Sequence, residues 1–525
     1  MNNILTTSFF IIIFLTGHSQ QFTIDQSIRK IESLLRLIDR SYVDTINNKD
    51  LSEKAVVSFL KELDPHSVYI SKEEIDKMNE PLVGNFEGVG IQFNIHKDTI
   101  LVVSPISGGP SEKLGIQSGD KIIKVDGELV AGIGITNQGV MDRLRGKKGT
   151  EVTVSIFRKG EKELIDYLII RDKIPIFSVD AGYMASSNIG YIKLNRFAGT
   201  SMREIKGKLD TLRKQGMEHL ILDLRGNGGG YLQTAIDLAD EFLSNRKLIV
   251  YTQGRSFPKN ERLATARGTF EQGKVVVLID NGSASASEIV SGAIQDWDRG
   301  LVLGRRSFGK GLVQKPYTLA DGSMVRLTIQ RYYTPTGRCI QKPYEEYEND
   351  YFNRLEKGEF FSKDSIDLPD SLKFYTPQDR VVYGGGGIIP DIFVPVDTSM
   401  GSDYLTSLRR KGLFNKFVVN YLDNHRKEIL EEYPNLETFK NNFNTENELL
   451  EEFIEFAAEK KVEKNEEDLA ISKKMILSLL KAYTAMGLWK TNAYYEIINE
   501  IDPIYAKAIE VVNDDTFDKM KLLYK

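Results

Sequence analysis

Between residues 188 and about 395, short apolar runs alternate with longer amphipathic stretches. Apolar runs of four to six residues are typical of buried strands, and apolar side chains at helical spacing are typical of helices packed on a core. Strands that alternate with helices form layered α/β structures, so this part of the chain is predicted to be an α/β core. The strand-like runs span 189–194, 220–224, 275–279 and 301–303, and the helical stretches span 202–215, 233–243 and 287–296.

The flanking segments differ in character from this core. Residues 24–80 are helical in pattern until a break at 64–67, residues 83–172 carry short β-rich runs punctuated by glycine, and residues beyond 400 are charged and helix-prone. A chain of 525 residues also exceeds what one hydrophobic core usually organises. We therefore predict five segments, at 1–19, 20–82, 83–172, 173–398 and 399–525.

The first of these segments, residues 1–19, is predicted to be a signal peptide. Residues 4–16 are mostly apolar, which is shorter than the roughly 20 residues that span a bilayer. Gly17 and Ser19 are small residues at the spacing of a cleavage site before Gln20. No Lys or Arg precedes the apolar run, so an uncleaved N-terminal membrane anchor stays open. Both interpretations place the rest of the chain outside the cytoplasm, in the periplasm or secreted.

Composition excludes several classes of function. Lys and Arg (69) nearly balance Asp and Glu (74), which gives no reason to expect nucleic acid as a partner. The single cysteine, Cys339, excludes an intrachain disulfide and a cysteine-rich zinc site. The five histidines are scattered without metal-ligand spacing, so no histidine-based metal site is predicted.

The segment NGSASASEI, residues 281–289, follows one apolar run and precedes a predicted helix. Small residues let the backbone turn sharply and let a substrate approach. A serine at such a turn lies beside the free N–H groups of a helix start, which can stabilise an oxyanion. A helix N-cap formed by Ser287 with Glu288 explains the same residues, so this segment alone does not choose between the two.

Lys310 lies between two glycines in the segment RRSFGKGLVQ, residues 305–314. A lysine that acts as a general base must be neutral, so its ordinary pKa of about 10.4 must fall by roughly three units, at a cost of about 4 kcal/mol. Burial away from carboxylates is the physical route to that change. A solvated turn lysine is the alternative that the local sequence leaves open.

The segment LILDLRGNGGGY, residues 220–231, runs from a predicted strand into a glycine-rich turn. Such a turn presents backbone N–H groups to an anion. The dinucleotide-binding spacing GxGxxG is not met, because Tyr231 stands where glycine or alanine is needed. The turn fits an oxyanion hole better than a phosphate site.

Together these segments resemble the carboxyl-terminal processing protease family, whose members combine a PDZ domain with a Ser–Lys protease core. The resemblance covers roughly residues 25–395 and implies a multidomain α/β fold. It implies a ClpP/crotonase-like protease core, an inserted PDZ domain at 83–172, N-terminal helices and a helical C-terminal region. The matching motifs are LDPHS at 63–67, GVGI at 88–91, SGDKI at 118–122, LRGKKGT at 144–150, DLRGNGGG at 223–230, GSASASEI at 282–289, FGKGLVQ at 308–314, YYTPTGR at 332–338 and GIIPD at 387–391.

The resemblance also implies roles for single residues of the core. Ser285 is the expected nucleophile, Lys310 the expected general base, and Gln314 the residue that orients the lysine. Ala286 and Gly229 are expected to supply the backbone N–H groups of the oxyanion hole. No metal and no cofactor is expected.

The glycine turn leaves one choice open. The family usually carries proline where this chain has Gly228. The turn is looser without that proline, so Gly230 stays an alternative to Gly229.

In the predicted PDZ domain, Gly88, Val89, Gly90 and Ile91 are expected to bind the C-terminal carboxylate of a substrate, and the substrate tail is expected to add a strand to the sheet. Arg145 matches by position an arginine that helps to gate the active site in some members. The resemblance therefore implies a serine endopeptidase acting on proteins with free, apolar C-termini. A homodimer and a periplasmic adaptor stay open as further partners.

Two other functions fit parts of the sequence. A Ser–His hydrolase would use His219, which lies just before the run that ends in the glycine turn. A non-catalytic PDZ adaptor would bind peptide tails without cleaving them. For residues 400–525, an oligomerisation or adaptor surface competes with a plain helical cap on the core.

Overall fold

A computed structural model describes residues 23–106, 108–117, 119–344, 347, 349–446 and 448–525. The predicted signal peptide at 1–19, its cleavage position before Gln20, and Ser118 of a predicted PDZ motif lie outside these residues. The chain divides into two units, Met1–Asp64 and Pro65–Lys525. Over the described ranges, no helix has the length and apolar character needed to span a membrane.

The first unit contains two helices, which confirms the predicted helical pattern. Thr23 begins the first helix with a capping box, since its hydroxyl accepts from the Gln26 N–H and the Gln26 side chain accepts from the Thr23 N–H. Asn47 caps the second helix through its side-chain oxygen. The helices are α1 (Ile24–Ser41) and α2 (Asn48–Lys61).

A β-rich domain opens the second unit, after a short strand and a helix. Its described strands form a six-stranded antiparallel sheet in the order β3-β4-β5-β7-β8, with β6 on β5, while β2 pairs with β9. The elements are β1 (Val68–Ile70), α3 (Ile75–Val83), β2 (Asn85–Gly88), β3 (Ile91–His96), β4 (Thr99–Pro105), α4 (Pro110–Lys113), β5 (Lys121–Val125), β6 (Glu128–Leu129), α5 (Asn137–Leu144), β7 (Glu151–Phe157), β8 (Ile165–Ile170) and β9 (Asp172–Pro175).

The α/β core follows the β-rich domain. Each strand and helix predicted between 188 and 303 is present, with ends shifted by at most a few residues. The elements are β10 (Val179–Met184), β11 (Ile189–Leu194), α6 (Ser201–Lys214), β12 (His219–Asp223), α7 (Leu232–Asp240), β13 (Leu248–Gly254), β14 (Phe257–Leu263), β15 (Val275–Ile279), α8 (Ala286–Asp296), β16 (Leu301–Gly304), β17 (Leu312–Thr318), β18 (Met324–Tyr333), α9 (Asp350–Glu356), β19 (Lys373–Tyr375), β20 (Val381–Tyr383) and β21 (Ile392–Phe393).

The central sheet of the core has the order β10-β11-β12-β15-β16-β21 and is parallel except for β10. Strands β11, β15 and β16 are buried at every residue. Parallel strands that are covered on both faces are apolar throughout, which is why the sequence predicts them so clearly. The carboxyl ends of β12, β15 and β16 lie side by side at one edge of this sheet.

A helical region closes the chain. Its elements are α10 (Asp403–Arg410), α11 (Leu413–Glu432), α12 (Leu436–Asn442), α13 (Glu448–Glu459), α14 (Glu466–Ile498, kinked at Trp489 and Lys490), α15 (Pro503–Asn513) and α16 (Thr516–Lys519).

Helices cover both faces of the central sheet. Alternate residues of a strand point to opposite faces, so Leu222 packs with α6, α7 and α8, whereas its neighbour Ile221 packs with α15 and α16. Ile504 and Phe517 are buried in this second layer. Of the two interpretations of residues 400–525, the helical cap on the core is therefore present.

A second sheet of the core was not predicted. It is antiparallel, with the order β1-β18-β13-β14 and β17 beside β18. Most residues of β14 and β17 are exposed and polar, so no continuous apolar run marks these strands in the sequence.

Candidate active site

Three loops meet at the carboxyl edge of the central sheet. The glycine turn (residues 226–230) follows β12, Ser285 follows β15, and Lys310 follows β16. Clefts at this edge are the usual binding sites of open α/β sheets. The fold therefore brings together the three segments that the sequence analysis selected.

Ser285 occupies a strained turn at the start of α8. Its φ and ψ are 56° and −110°, a conformation that non-glycine residues rarely adopt. The helix begins at Ala286, so Ser285 and not Ser287 is the N-cap residue. The predicted cap at Ser287 is wrong, because Ser287 is buried in the helix and its hydroxyl donates to the Asn227 carbonyl at 2.8 Å.

The buried carboxylate of Glu288 joins the serine turn to the lysine loop. Its Oε2 accepts the N–H groups of Ser285 at 2.7 Å and of Lys310 at 3.0 Å. Its Oε1 accepts the Ser307 hydroxyl at 2.5 Å and the Gly309 N–H at 2.7 Å. Burial raises the pKa of Glu288, and the four hydrogen bonds oppose that rise. The two amide nitrogens on Oε2 lie within about 6 Å of one another, since each is one hydrogen-bond length away.

Tyr332 makes a second link between the same two residues. Its buried hydroxyl lies 3.0 Å from the carbonyl oxygen of Ser285 and 2.8 Å from that of Lys310. Ser285 and Lys310 are therefore held by shared partners on both their N–H and their C=O sides. From the sequence, Glu288 was predicted only as a helix-capping residue and Tyr332 was noted only as part of a family motif.

The amine of Lys310 is held by Gln314. Lys310 Nζ donates to Gln314 Oε1 at 3.1 Å, and Gln314 Nε2 in turn donates to the His66 carbonyl. His66 also packs its ring edge-on against Tyr347, at 5.0 Å between ring centroids. The contact of His66 with Gln314 crosses 248 positions of sequence, and no local pattern indicated it.

The glycine turn lies directly against Ser285. A Cβ atom on Gly229, whose φ is 100°, would come within 2.9 Å of Ser285 Cβ and 3.0 Å of Ala286 N, so only glycine fits. The Gly229 N–H donates to Asn227 Oδ1 at 2.9 Å. Among the described residues, neither the Ala286 N–H nor the Gly230 N–H donates a hydrogen bond. A role for Gly229 as an oxyanion donor therefore requires Asn227 to release it, whereas Gly230 needs no such release.

A buried charge cluster lies beneath the glycine turn. Asp223 is fully buried and accepts from Tyr191 Oη at 2.7 Å and from Lys193 Nζ at 3.0 Å. Arg225 donates to it through Nη2 at 2.6 Å. Burial alone would raise the pKa of Asp223. The positive charges of Arg225 and Lys193 lower this pKa by more than burial raises it, and hold it well below its usual range.

The predicted carboxylate-binding loop lies at the free edge of the β-rich domain. Gly88 ends β2, Ile91 begins β3, and β3 pairs on one side only, with β4. Val89 is buried, and Gly90 has a φ of 78°. In the described part of the chain the Gly90 N–H donates no hydrogen bond, whereas Val89 follows directly on the bridge of Gly88 with Arg145. The Gly90 N–H is available to a carboxylate, and the open edge of β3 can accept a peptide strand.

Arg145 lies between this loop and α3. It forms an isolated β-bridge with Gly88, its Nη1 lies 2.7 Å from Glu80 Oε2, and its guanidinium lies 4.7 Å from the centre of the Phe86 ring. The predicted gating residue therefore connects the carboxylate-binding loop to the helix that precedes the domain.

The predicted Ser–His alternative is wrong. His219 is the first residue of β12, at the edge of the sheet opposite to Ser285, and its Nδ1 accepts the Lys274 N–H at 3.2 Å. A parallel strand of five residues is roughly 16 Å long, so His219 cannot take a proton from Ser285.

Comparison with known families gives matches along much of the chain. The model described as peptidase family S41 matches residues 188–350, which include Ser285, Lys310 and Gln314. The PDZ domain model matches residues 88–168, and the model of the activating protease CtpB N-terminal domain matches residues 15–74. A family of unknown function matches residues 404–490.

Curated proteins of one family match over about two thirds of the chain. The carboxy-terminal processing protease CtpB of Bacillus subtilis is 33% identical over 353 residues, which cover 66% of this chain and 72% of that protein. The carboxy-terminal-processing protease of Bartonella bacilliformis is 37% identical over 335 residues, which cover 62% of this chain and 75% of that protein. A solved photosystem II D1 C-terminal processing protease is 25% identical and covers 74% of this chain and 97% of its own length, with a TM-score of 0.36.

Proposed function

This chain belongs to the carboxy-terminal processing proteases of peptidase family S41, and from that premise we propose that Ser285 is its nucleophile and Lys310 its general base. The observation that carries the proposal is the pair of shared partners. Glu288 holds the N–H groups of both residues on one oxygen atom, and Tyr332 holds both carbonyl oxygens. Two residues 25 positions apart are thus fixed as one rigid unit.

In the proposed reaction, the neutral amine of Lys310 takes the proton of the Ser285 hydroxyl as Oγ attacks the carbonyl carbon of the scissile bond. The N–H group of Ala286 and one from the turn at Gly229 and Gly230 stabilise the oxyanion of the tetrahedral intermediate. Lys310 then gives its proton to the leaving amine. A water molecule attacks the acyl-enzyme and Lys310 accepts its proton; as the ester bond breaks, Lys310 returns that proton to Ser285 Oγ, which restores the serine hydroxyl and the neutral amine.

Gln314 orients the base in this proposal. Its side-chain oxygen receives one N–H of the Lys310 amine, and its own amide group is anchored on the backbone of His66. An anchored acceptor restricts the amine to few orientations, which favours proton transfer from a fixed direction.

Variants of Ser285 and Lys310 test the proposal. We expect Ser285→Ala and Lys310→Met to lower kcat on an unfolded protein substrate by at least about 10⁴-fold, because the pair acts as a unit. Lys310→Arg should be as inactive, since a guanidinium stays protonated and cannot serve as a base. His219→Ala is the matched control and should keep near wild-type kcat. Normal turnover by Lys310→Met would contradict the proposal.

Substrates are recognised, we propose, through the PDZ domain. The Gly90 N–H group and the open edge of β3 fit a C-terminal carboxylate and an extended tail. Substrates that differ only in a free or an amidated C-terminus should differ in KM. A Ser285→Ala protein should still bind the free tail. Tail binding by the wild type without any turnover would instead favour the non-catalytic adaptor.

The location outside the cytoplasm is also proposed. It rests on the apolar run at residues 9–15 and the small residues that follow it. Fractionation of cells followed by N-terminal sequencing tests it, and a mature N-terminus at Gln20 is the expected result. A homodimer, a periplasmic adaptor and an N-terminal anchor stay predictions.

A further inference from the structure

Arg225 is the residue at which β12 gives way to the glycine turn. Its Nε and Nη2 groups donate to Asp223, at 3.0 and 2.6 Å. Its remaining terminal nitrogen, Nη1, donates at 2.5 Å to Asp502 Oδ2. Asp502 is 277 positions further along the chain, between α14 and α15. The last part of the C-terminal helical region thus contacts Arg225, the residue directly before the glycine turn.

The Asp502 carboxylate adds a second negative charge to a cluster of largely buried side chains. Lys193 and Arg225 supply two positive charges and Asp223 one negative charge, and Arg305 lies close enough to interact with Arg225 and Asp502. The four ion-paired side chains are at most 20% exposed. Removing one member of such a cluster leaves a buried charge without its partner, which is strongly destabilising to the local structure.

The two oxygen atoms of Asp502 have separate tasks. Oδ2 pairs with Arg225, whereas Oδ1 accepts the N–H groups of Ile504 at 2.8 Å and Tyr505 at 3.2 Å and so caps α15. Asparagine is as good an N-cap residue as aspartate but carries no charge. A substitution can therefore remove the ion pair and keep the cap.

From Arg225 a short path of hydrogen bonds leads to Ser285. The Lys193 amine donates to the Arg225 carbonyl at 2.5 Å, which fixes the backbone at that point. Two residues later the Asn227 carbonyl accepts the Ala284 N–H at 3.0 Å, directly before Ser285. Arg225 is therefore one of the constraints on the turn beside Ser285, together with the hydrogen bonds of the Gly226 N–H to Asp280 and of the Asn227 side chain to the Leu194 carbonyl.

We propose that Asp502 is a positioning residue of the active site, which fixes Arg225 and through it the glycine turn beside Ser285. The inference rests on the proposed role of Ser285 and goes beyond it. The protease family model matches residues 188–350 and does not include Asp502. The C-terminal helical region thus contributes a residue that positions the active site.

The test compares three full-length variants with the wild type. Asp502→Asn keeps the cap and loses the charge, Asp502→Glu restores the charge, and Asn435→Ala removes a different helix cap, that of α12, without touching the cluster. The measurements are kcat and KM on a tailed protein substrate, the rate of Ser285 phosphonylation by a fluorophosphonate with loss of fluoride, the thermal midpoint, and amide exchange of residues 226–231.

For Asp502→Asn we expect kcat and the phosphonylation rate to fall by about ten- to a hundredfold, because a misplacement of about 1 Å can cost about 10²-fold. Exchange of residues 226–231 should rise about tenfold, and KM should change less than twofold. Asp502→Glu should recover most of each loss. Asn435→Ala should lower the thermal midpoint and leave kcat and the exchange of residues 226–231 unchanged.

Two results would overturn the inference. One is an Asp502→Asn protein with wild-type exchange at 226–231 and wild-type kcat. The other is an equal loss of kcat in Asp502→Asn and Asn435→Ala, which would make the effect one of general stability. A wild type that is not phosphonylated at Ser285 would overturn the proposed function instead, and the exchange of residues 226–231 would still decide whether Asp502 holds the turn.

Discussion

At the scale of single residues, Ser285 has a strained backbone conformation, and this conformation places its side chain at the tip of the turn. A φ of 56° with a ψ of −110° is a glycine conformation, and a Cβ atom there costs about 1–3 kcal/mol. In return, the side chain is held at the tip of the turn, against Gly229 and the start of α8. Strain of this kind is typical of a nucleophile on a sharp strand-to-helix turn.

This strain predicts an inverted preference between alanine and glycine. Both Ser285→Ala and Ser285→Gly lack the proposed nucleophile, but we expect the glycine variant to have the higher free energy of unfolding, by about 1 kcal/mol. Ser291, inside α8, is the control position, where glycine should be the less stable of the two by about 0.5–1 kcal/mol. Denaturant unfolding measures both pairs. An alanine variant at 285 that is as stable as the glycine variant would remove the argument from strain.

The hydroxyl of Tyr332 gives a second prediction at this scale. Tyr332→Phe removes the donor shared by the carbonyl oxygens of Ser285 and Lys310. We expect kcat to fall about tenfold with an unchanged KM, and stability to fall by about 1–3 kcal/mol, because buried carbonyl groups lose their partner. Tyr333→Phe, at the neighbouring position of β18, should retain wild-type kcat. Equal kcat values for the two variants would contradict a linking role.

At the scale of elements, burial decides how much the sequence predicts. The apolar runs of β11, β12, β15 and β16 are explicit because these strands are covered on both faces. Strands β13, β14, β17 and β18 form an antiparallel sheet whose residues are partly polar and partly exposed, so its pairing depends on contacts that no local pattern shows. The kink of α14 at Lys490, where φ is 71°, falls three residues after Gly487, and no proline marks it in the sequence.

Helix α3 connects the carboxylate-binding loop to the glycine turn. Arg145 pairs with Glu80 on this helix, and the carbonyl of Leu82 at its end accepts the Gly199 N–H at 2.9 Å. Two residues before Gly199, the N–H of Phe197 donates to the Gly229 carbonyl at 2.9 Å. The route from the PDZ domain to the turn therefore passes through one short helix.

Glu80→Gln tests this route. Without the ion pair to Arg145 we expect the rate advantage of a tailed over a tailless substrate to fall severalfold, while the affinity of the PDZ domain for the tail stays unchanged. Asp76→Asn, an exposed substitution on the same helix, is the control and should preserve the advantage. The comparison needs kcat/KM for both substrates and the Kd of a tail peptide. An undiminished advantage in Glu80→Gln would exclude α3 as the connection.

At the scale of the whole molecule, the PDZ domain also contacts the C-terminal helical region. Lys159 Nζ donates to Asn424 Oδ1 of α11 at 3.2 Å, and Asp423 on the same helix faces His96 and Lys121 of the PDZ domain. The PDZ domain is thus held by the C-terminal helices as well as through α3. This contact was not predicted, since the two segments are about 260 residues apart.

This contact predicts a dependence of stability on pH. Burial lowers the pKa of His96, and Lys97, Lys121 and Lys460 lower it further, while Asp423 opposes them. The unfolded chain then binds the proton more readily, with an ordinary pKa of about 6.5, so the stability from neutral His96 is complete above that pH and is lost as the pH falls below it. The urea midpoint should fall between pH 7.5 and 5.5, and less so in His96→Gln. Burial of His219 lowers its pKa as well, so part of the dependence should remain. An identical slope in His96→Gln would contradict the assignment.

The local sequence indicated the candidate catalytic residues but not the residues that hold them in place. Ser285, Lys310 and Gln314 lie in motifs that local sequence displays, and the fold brings those motifs to one edge because three neighbouring strands are parallel. The partners that hold them in place come from distant segments. His66, Tyr332 and Asp502 each reach the site across a long stretch of chain, and such contacts follow only from the folded topology.

The second helical layer sets an order on biosynthesis. Strands β12 and β15 stay uncovered on one face until α15 and α16 have been made, about 240 residues after β15, which is roughly 10–50 s of translation. During that interval the central sheet lacks the packing of Phe517 on one face, and Arg225 lacks the carboxylate of Asp502. We therefore expect a chain that stops before α15 to lack both this helical layer and the Arg225–Asp502 ion pair.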